Sequence, residues 1–189
     1  MPRADGASWL GSIATLIDRN TAKFRTVRGL DAAAIERLDA ASRDCLTRLQ
    51  PLLSQRAAQG FVRRCHGDLH LANIALVDGR PLLFDAIEFD SVIATTDTLY
   101  DLAFTLMDLI HFNQAAAANT VFNRYFAEAA VENIDSLGLL PLFLSVRAAI
   151  RAHGRGGCQG EERARCARRL RAPLIAYLRG RRSTGDGAA

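Results

Sequence analysis

The sequence predicts an α+β domain that is mostly α-helical, with one small β-hairpin at its centre. Three observations predict it. Apolar residues recur at helical spacing through the first sixty or so residues and again from Asp97 onward. Between these blocks the pattern changes to short apolar runs around an Asp-Gly dipeptide. No Ser/Gly/Pro tract divides the 189 residues, and 49% of them are hydrophobic, which suffices for one core and predicts one domain over residues 1–182 with a disordered tail at 183–189.

The elements are justified in chain order. "SWLGSIATLIDRN" carries a helical apolar stripe, and "LDAAAIERLDAASRDCLTRLQPLLSQRAAQG" carries another, with Asp31 as N-cap and Gly60 as stop. Pro51 is expected to kink or divide this second helix. Helix is thus expected over 1–60. "GFVRRC" and "ANIALV" then read as strands, Asp78-Gly79 as a tight turn, and "PLLFDAIEF" as the return strand, all within 61–92. Four helical patterns complete the chain over 97–182: "DTLYDLAFTLMDLIHF", "AAAANTVFNRYFAEAAVE", "LLPLFLSVRAAIRAHG" and "GEERARCARRLRAPLIAYLRG". A lone hairpin is rarely stable, so this one must lie on the helices, which fixes its acidic residues in place.

Charge and cysteine content exclude several classes. The net charge of +4 divides into −3 for residues 1–150 and +7 for 151–189, so the basic excess belongs to the C-terminal segment. That segment lacks the interleaved aromatics or reading motif of a nucleic-acid site and reads as a solvated arginine-rich helix face. The four cysteines form no CxxC, which argues against a zinc knot or a disulfide framework. No apolar run approaches the roughly 20 residues that span a bilayer, and the N-terminus has no apolar signal block. A soluble, cytoplasmic protein without a membrane partner is expected.

Chemistry concentrates in "CHGDLHLANIALVDGRPLLFDAIEFD", Cys65 to Asp90. A two-residue turn at Asp78-Gly79 sets Asn73 opposite residue 84, which makes Asn73 and Asp85 near neighbours, with Asp68 on the adjoining loop. One amide oxygen and two carboxylates at one end of a hairpin suit magnesium, a hard cation that fills its shell with phosphate and water oxygens. Phosphoryl transfer uses such a set: an Asp orients the attacking hydroxyl, and an Asn and a second Asp hold the metal.

"HGDLHLAN" resembles the catalytic-loop motif of aminoglycoside phosphotransferases and related small-molecule kinases, and "LLFDAIEFD" resembles their metal-binding segment. "DTLYDLAFTLMDL" is similar to the next segment of bacterial members that are often fused to a P-loop ATPase domain. The resemblance runs from about Gly60 to Leu109. It implies the C-terminal lobe of a protein-kinase-like fold and an ATP- and magnesium-dependent transfer to a hydroxyl of a small substrate. It makes Asp68 the catalytic base, Asn73 and Asp85 the magnesium ligands, and His66 and Asp101 organisers of the loop. His70 falls where protein kinases place a phosphate-facing lysine.

Plainer accounts exist for each residue. The loop at 66–73 could cap itself through side-chain hydrogen bonds. His66, Asp68 and His70 could form a transition-metal site of a hydrolase, although His111 and His153 lie on separate helices and offer no clear third ligand. Glu88 and Asp90, two apart on the expected strand, suit an acidic rim or a solvated edge. Asp97 suits an N-cap and Asp108 a solvent face, while Arg147 and Arg151, one turn apart, suit ion pairs or phosphate. Asp101, among apolar neighbours, is expected to point inward.

The nucleotide half of such a kinase is not legible. No GxGxxG and no GxxxxGK[ST] occurs, and Lys23, the one lysine, follows a helix rather than lying on a strand. The chain reads as a fragment, as a lobe completed by an N-terminal lobe or ATPase domain in trans, or as a non-catalytic nucleotide-binding or interaction module of the same fold.

Overall fold

The computed structural model describes residues 6–78, 80–128 and 131–154, and over these the chain is mostly helical. Helix α1 (Gly6–Arg25) runs into α2 (Ala32–Ala58), whose N-cap Asp31 accepts from the Ala33 amide. Lys23 lies inside the last turn of α1, not after it. Pro51 does not divide α2, which is continuous through it. A mid-helix proline costs about 3 kcal/mol, but Leu49 and Leu53 on either side are buried in the core, and each such burial contributes about 1.5–3 kcal/mol.

The chain then leaves helix for β1 (Val62–Arg64), a 3₁₀ turn at Leu71–Asn73, β2 (Ile74–Val77) and β3 (Arg80–Leu83). A one-turn helix α3 (Ser91–Ala94), β4 (Thr95–Asp97), α4 (Thr98–His111), α5 (Ala115–Glu128), a 3₁₀ segment Val131–Leu139 and α6 (Leu140–Gly154) complete it. The expected arginine-rich helix and the tail at 183–189 lie outside the described residues.

Strands β2 and β3 pair antiparallel in the expected register, Ile74 opposite Leu83 and Val77 opposite Arg80. The return strand is shorter than expected. It ends at Leu83, so Asp85, Glu88 and Asp90 are not strand residues; Asp90 instead caps α3 through the Val92 and Ile93 amides. A second two-stranded sheet was not anticipated: β1 pairs antiparallel with β4, Val62 opposite Asp97.

The core lies among α1, α2, α4 and α6, where Trp9, Ile13, Leu53, Leu99, Leu142 and Phe143 are almost wholly buried. Asp97 ties this core to the second sheet. It caps α4 at the Leu99 amide, as expected, and accepts both arms of Arg56 at 2.7 and 2.8 Å with neither side chain exposed. Among the described residues no helix is long and apolar enough to cross a membrane.

Candidate functional site

The loop from Cys65 to Asn73 leaves β1, enters β2, and is held from below by one face of α4. The Asp101 carboxylate accepts from the His66 and Gly67 amides at 3.0 and 3.1 Å. Thr105 Oγ1 donates to the Leu69 carbonyl at 2.7 Å, and Asp108 accepts from the Leu71 amide at 3.1 Å. These three residues stand at i, i+4 and i+7, the spacing that lines up side chains on one helix face. The inward orientation expected of Asp101 is what the structure has. Asp108 corrects its expectation: it is fully buried rather than a solvent-face residue.

Two arginines on α6 stand behind these carboxylates. Arg147 pairs with Asp101 at 3.3 Å and also donates to the Gly67 and Tyr100 carbonyls, while Arg151 pairs with Asp108 at 3.1 Å. Both arginines therefore serve ion pairs. Burial pushes the Asp101 carboxyl above its ordinary range, and Arg147 and the two backbone amides oppose that rise. The loop backbone is thus fixed by charge-assisted hydrogen bonds whose donors and acceptors lie on different elements.

Gly67 has φ +84°, and a Cβ there would lie 3.1 Å from Ile87 Cδ1 and 3.4 Å from Ala94 Cα. Only glycine suits both the left-handed backbone and that close approach. The turn sets Asp68 at the top of the loop, its side chain partly exposed. The Asn73 Nδ2 group donates to the Asp68 carbonyl at 2.9 Å and lies 3.5 Å from its carboxylate, and His70 Nε2 lies 3.4 Å from the same oxygen. Both acceptors require the amide nitrogen, which leaves the side-chain oxygen Oδ1 of Asn73 as its remaining acceptor. His70 packs edge-on to Phe104, and its buried Nδ1 has no partner.

Asp85 is placed by an arch over His66. The Phe84 amide donates to the Asn73 carbonyl at 3.1 Å as the last rung of the hairpin; His66 Nε2 then donates to the Phe84 carbonyl at 2.8 Å, and the Ile87 amide to the His66 carbonyl at 2.9 Å. Asp85, exposed between these anchors, takes φ +59°. A non-glycine residue in the left-handed region carries a backbone cost, and such residues cluster at functional sites. Asp85 is a neighbour of the residue opposite Asn73, as expected, but on this turn rather than on a strand.

A cavity of about 540 Å³ opens beside Asp68, lined by residues of α1, α3, α4 and α6. Asp68, Gly67 and Asp90 line it, with Trp9, Tyr100 and Phe104; Glu88 does not. Cys65 is unsuited as a nucleophile, because burial, with Asp101 and Asp97 nearby, pushes its thiol up to about 12. Among the described residues, no three His, Cys, Asp or Glu side chains converge as a metal cage, at His66, Asp68 and His70 or elsewhere. His111 lies against Phe112, and His153 bonds Asn20.

The residues that sequence reasoning missed are Thr105 and Asp108. Their i+4 and i+7 spacing from Asp101 was the available signal.

An uncharacterized protein of Mycobacterium bovis and uncharacterized proteins of two strains of Mycobacterium tuberculosis are each 26% identical to this chain over 147 residues. The match covers 76% of this chain but 29% of each relative, so the chain spans under a third of their length. No family model and no solved structure matches.

Proposed function

We propose that this chain is the catalytic-loop half of a small-molecule kinase, resembling the C-terminal lobe of aminoglycoside phosphotransferases, that transfers a phosphoryl group from ATP to a substrate hydroxyl. One observation carries the reading: Asp68 lines a cavity and its carbonyl accepts from the Asn73 side-chain amide, on a loop that α4 holds at four backbone groups. In this reading Asp68 accepts a hydrogen bond from the substrate hydroxyl and takes its proton as the hydroxyl oxygen bonds to the γ-phosphorus and the bond from that phosphorus to the bridging oxygen breaks, releasing ADP. His66 acts on position, binding both the carbonyl before Asp85 and the amide of Ile87. His70 faces the Asp68 carboxylate and restrains it.

The donor set fits magnesium. Asn73 has a free amide oxygen, Asp85 has an exposed carboxylate, and a magnesium ion needs only one or two protein oxygens when phosphates complete its shell. Those two residues would hold it, and when bound it would neutralise charge on the phosphate oxygens. Among the described residues there is no glycine-rich strand-turn-strand, and the lone lysine is helical. The reading therefore includes a nucleotide-binding lobe contributed by another segment or chain.

The test joins this chain to such a lobe and measures phosphate transfer from ATP. Asp68→Asn should lower turnover at least about a hundredfold, the contribution of a positioned acid or base. Asp85→Ala should abolish magnesium-dependent thermal stabilisation by ATP. Unchanged turnover in Asp68→Asn would sink the assignment. A fold that gives no response to nucleotide, lobe included, would favour the non-catalytic module.

A further inference from the structure

The cavity beside Asp68 has a composition that specifies its occupant. Most of its exposed wall surface is apolar, although polar residues are the more numerous in the lining; Trp9 and Leu16 of α1, Phe104 of α4 and Ile150 of α6 are among the apolar ones. Its mouth is apolar too: Val92 and Ile93 line it while remaining 70% and 50% exposed. At about 540 Å³ it falls in the range that encloses a small organic molecule.

The charges on the wall are mostly committed. Arg147 is bound to Asp101, Gly67 and Tyr100. His153 hydrogen-bonds Asn20, and burial holds its pKa below the ordinary value, which disfavours its charged form. One oxygen of Asp90 takes the two amides that start α3. An occupant therefore faces Asp68, the rest of Asp90, and Arg19, an exposed cation that also lines the cavity. A polycation would bring several charges to a wall with two carboxylates and a competing guanidinium, and its desolvation would go uncompensated.

We infer that this cavity binds a neutral or singly charged alcohol with a substantial apolar body, its hydroxyl turned to Asp68. Its role as the phosphoryl acceptor rests on the kinase reading above; the chemistry of the cavity does not.

Trp9 is the sole tryptophan and lies in the wall, so its fluorescence reports occupancy directly. Titration of the intact chain with octyl β-glucoside below micelle formation should shift Trp9 emission at a concentration at least tenfold lower than glucose or spermine requires. Thr15→Phe, at an exposed cavity-lining position of α1, should raise that midpoint several-fold; Thr15→Leu, a smaller filling that keeps the test usable where Phe impairs folding, should raise it to a lesser degree. Leu76→Ser, on the exposed hairpin, should leave it unchanged. The inference is overturned if spermine titrates as well as the glucoside, or if filling at Thr15 has no effect. Glucoside binding without Asp68-dependent phosphate transfer would refute the kinase reading and leave the cavity assignment standing. Asp68-dependent transfer to a polycation would do the reverse.

Discussion

Removing the Asp101 carboxylate should release the Cys65–Asn73 loop from α4. In Asp101→Ala, two loop amides lose their acceptor and Arg147, only 5% exposed, loses its counter-charge. Breaking a buried ion pair from one side costs about 3–5 kcal/mol, because the remaining charge is left without compensation. For a chain of this size each kcal/mol shifts Tm by about 2–4 °C, so the variant should melt about 6–20 °C lower. Circular dichroism measures the shift, and hydrogen exchange should show faster exchange at the His66 and Gly67 amides. The double variant Asp101→Ala/Arg147→Met removes the stranded charge and should recover at least about 1.5 kcal/mol relative to additivity. A Tm within about 1 °C of the parent, or strictly additive single variants, would refute the claim that these residues act as one buried unit.

Two further outcomes are expected of the site and its surroundings. Gly67→Ala should destabilise by about 1–2 kcal/mol for the left-handed backbone alone, plus the displacement of Ile87, and a urea midpoint equal to the parent's would contradict the close approach described. His153 is held below its ordinary pKa by burial, with Lys23 nearby as a lesser cause. The unfolded chain then takes up a proton that the folded chain refuses, so this contribution to stability is full above about pH 6.5 and falls as pH drops through that value. Tm should therefore fall less between pH 7.5 and 5.5 in His153→Gln than in the parent, and an equal fall would show that His153 is not the group responsible.

Much of this arrangement is legible in the sequence, and the parts that are not share a physical cause. The hairpin register was readable because Asp78-Gly79 fixes a two-residue turn and every later pairing is set by it. Asp97 and Asp31 were readable as caps because capping depends on the next three residues only, whereas the Asp97–Arg56 pair is long-range. The β1–β4 sheet was not, since Val62–Arg64 and Thr95–Asp97 are three residues each, too short for an alternating pattern, and their pairing closes over thirty residues of chain. Pro51 misled in the opposite direction: a local penalty of about 3 kcal/mol was outweighed by burial that only the tertiary fold reveals.

Asp108 and Asp85 show how local reading failed within the site itself. Asp108 sits among "LMDLI", where an acidic residue in an apolar helix reads as its solvent stripe. Its spacing of seven from Asp101 places both on the same face, so the inward reading given to Asp101 already implied the same for Asp108, with a buried cation required for each. The arginines that meet this requirement, Arg147 and Arg151, are four residues apart on α6, the spacing needed to face two carboxylates along a packed helix. Asp85 departed because a strand pattern does not mark where pairing stops. Once His66 takes the Phe84 carbonyl and the Ile87 amide, the chain between must turn, and the turn falls on Asp85. The residue that the hairpin brings beside Asn73 is therefore held by the histidine of the same motif, so His66 and Asp85 depend on one another: loss of the His66 ring would free the Phe84 carbonyl and with it the left-handed backbone at Asp85.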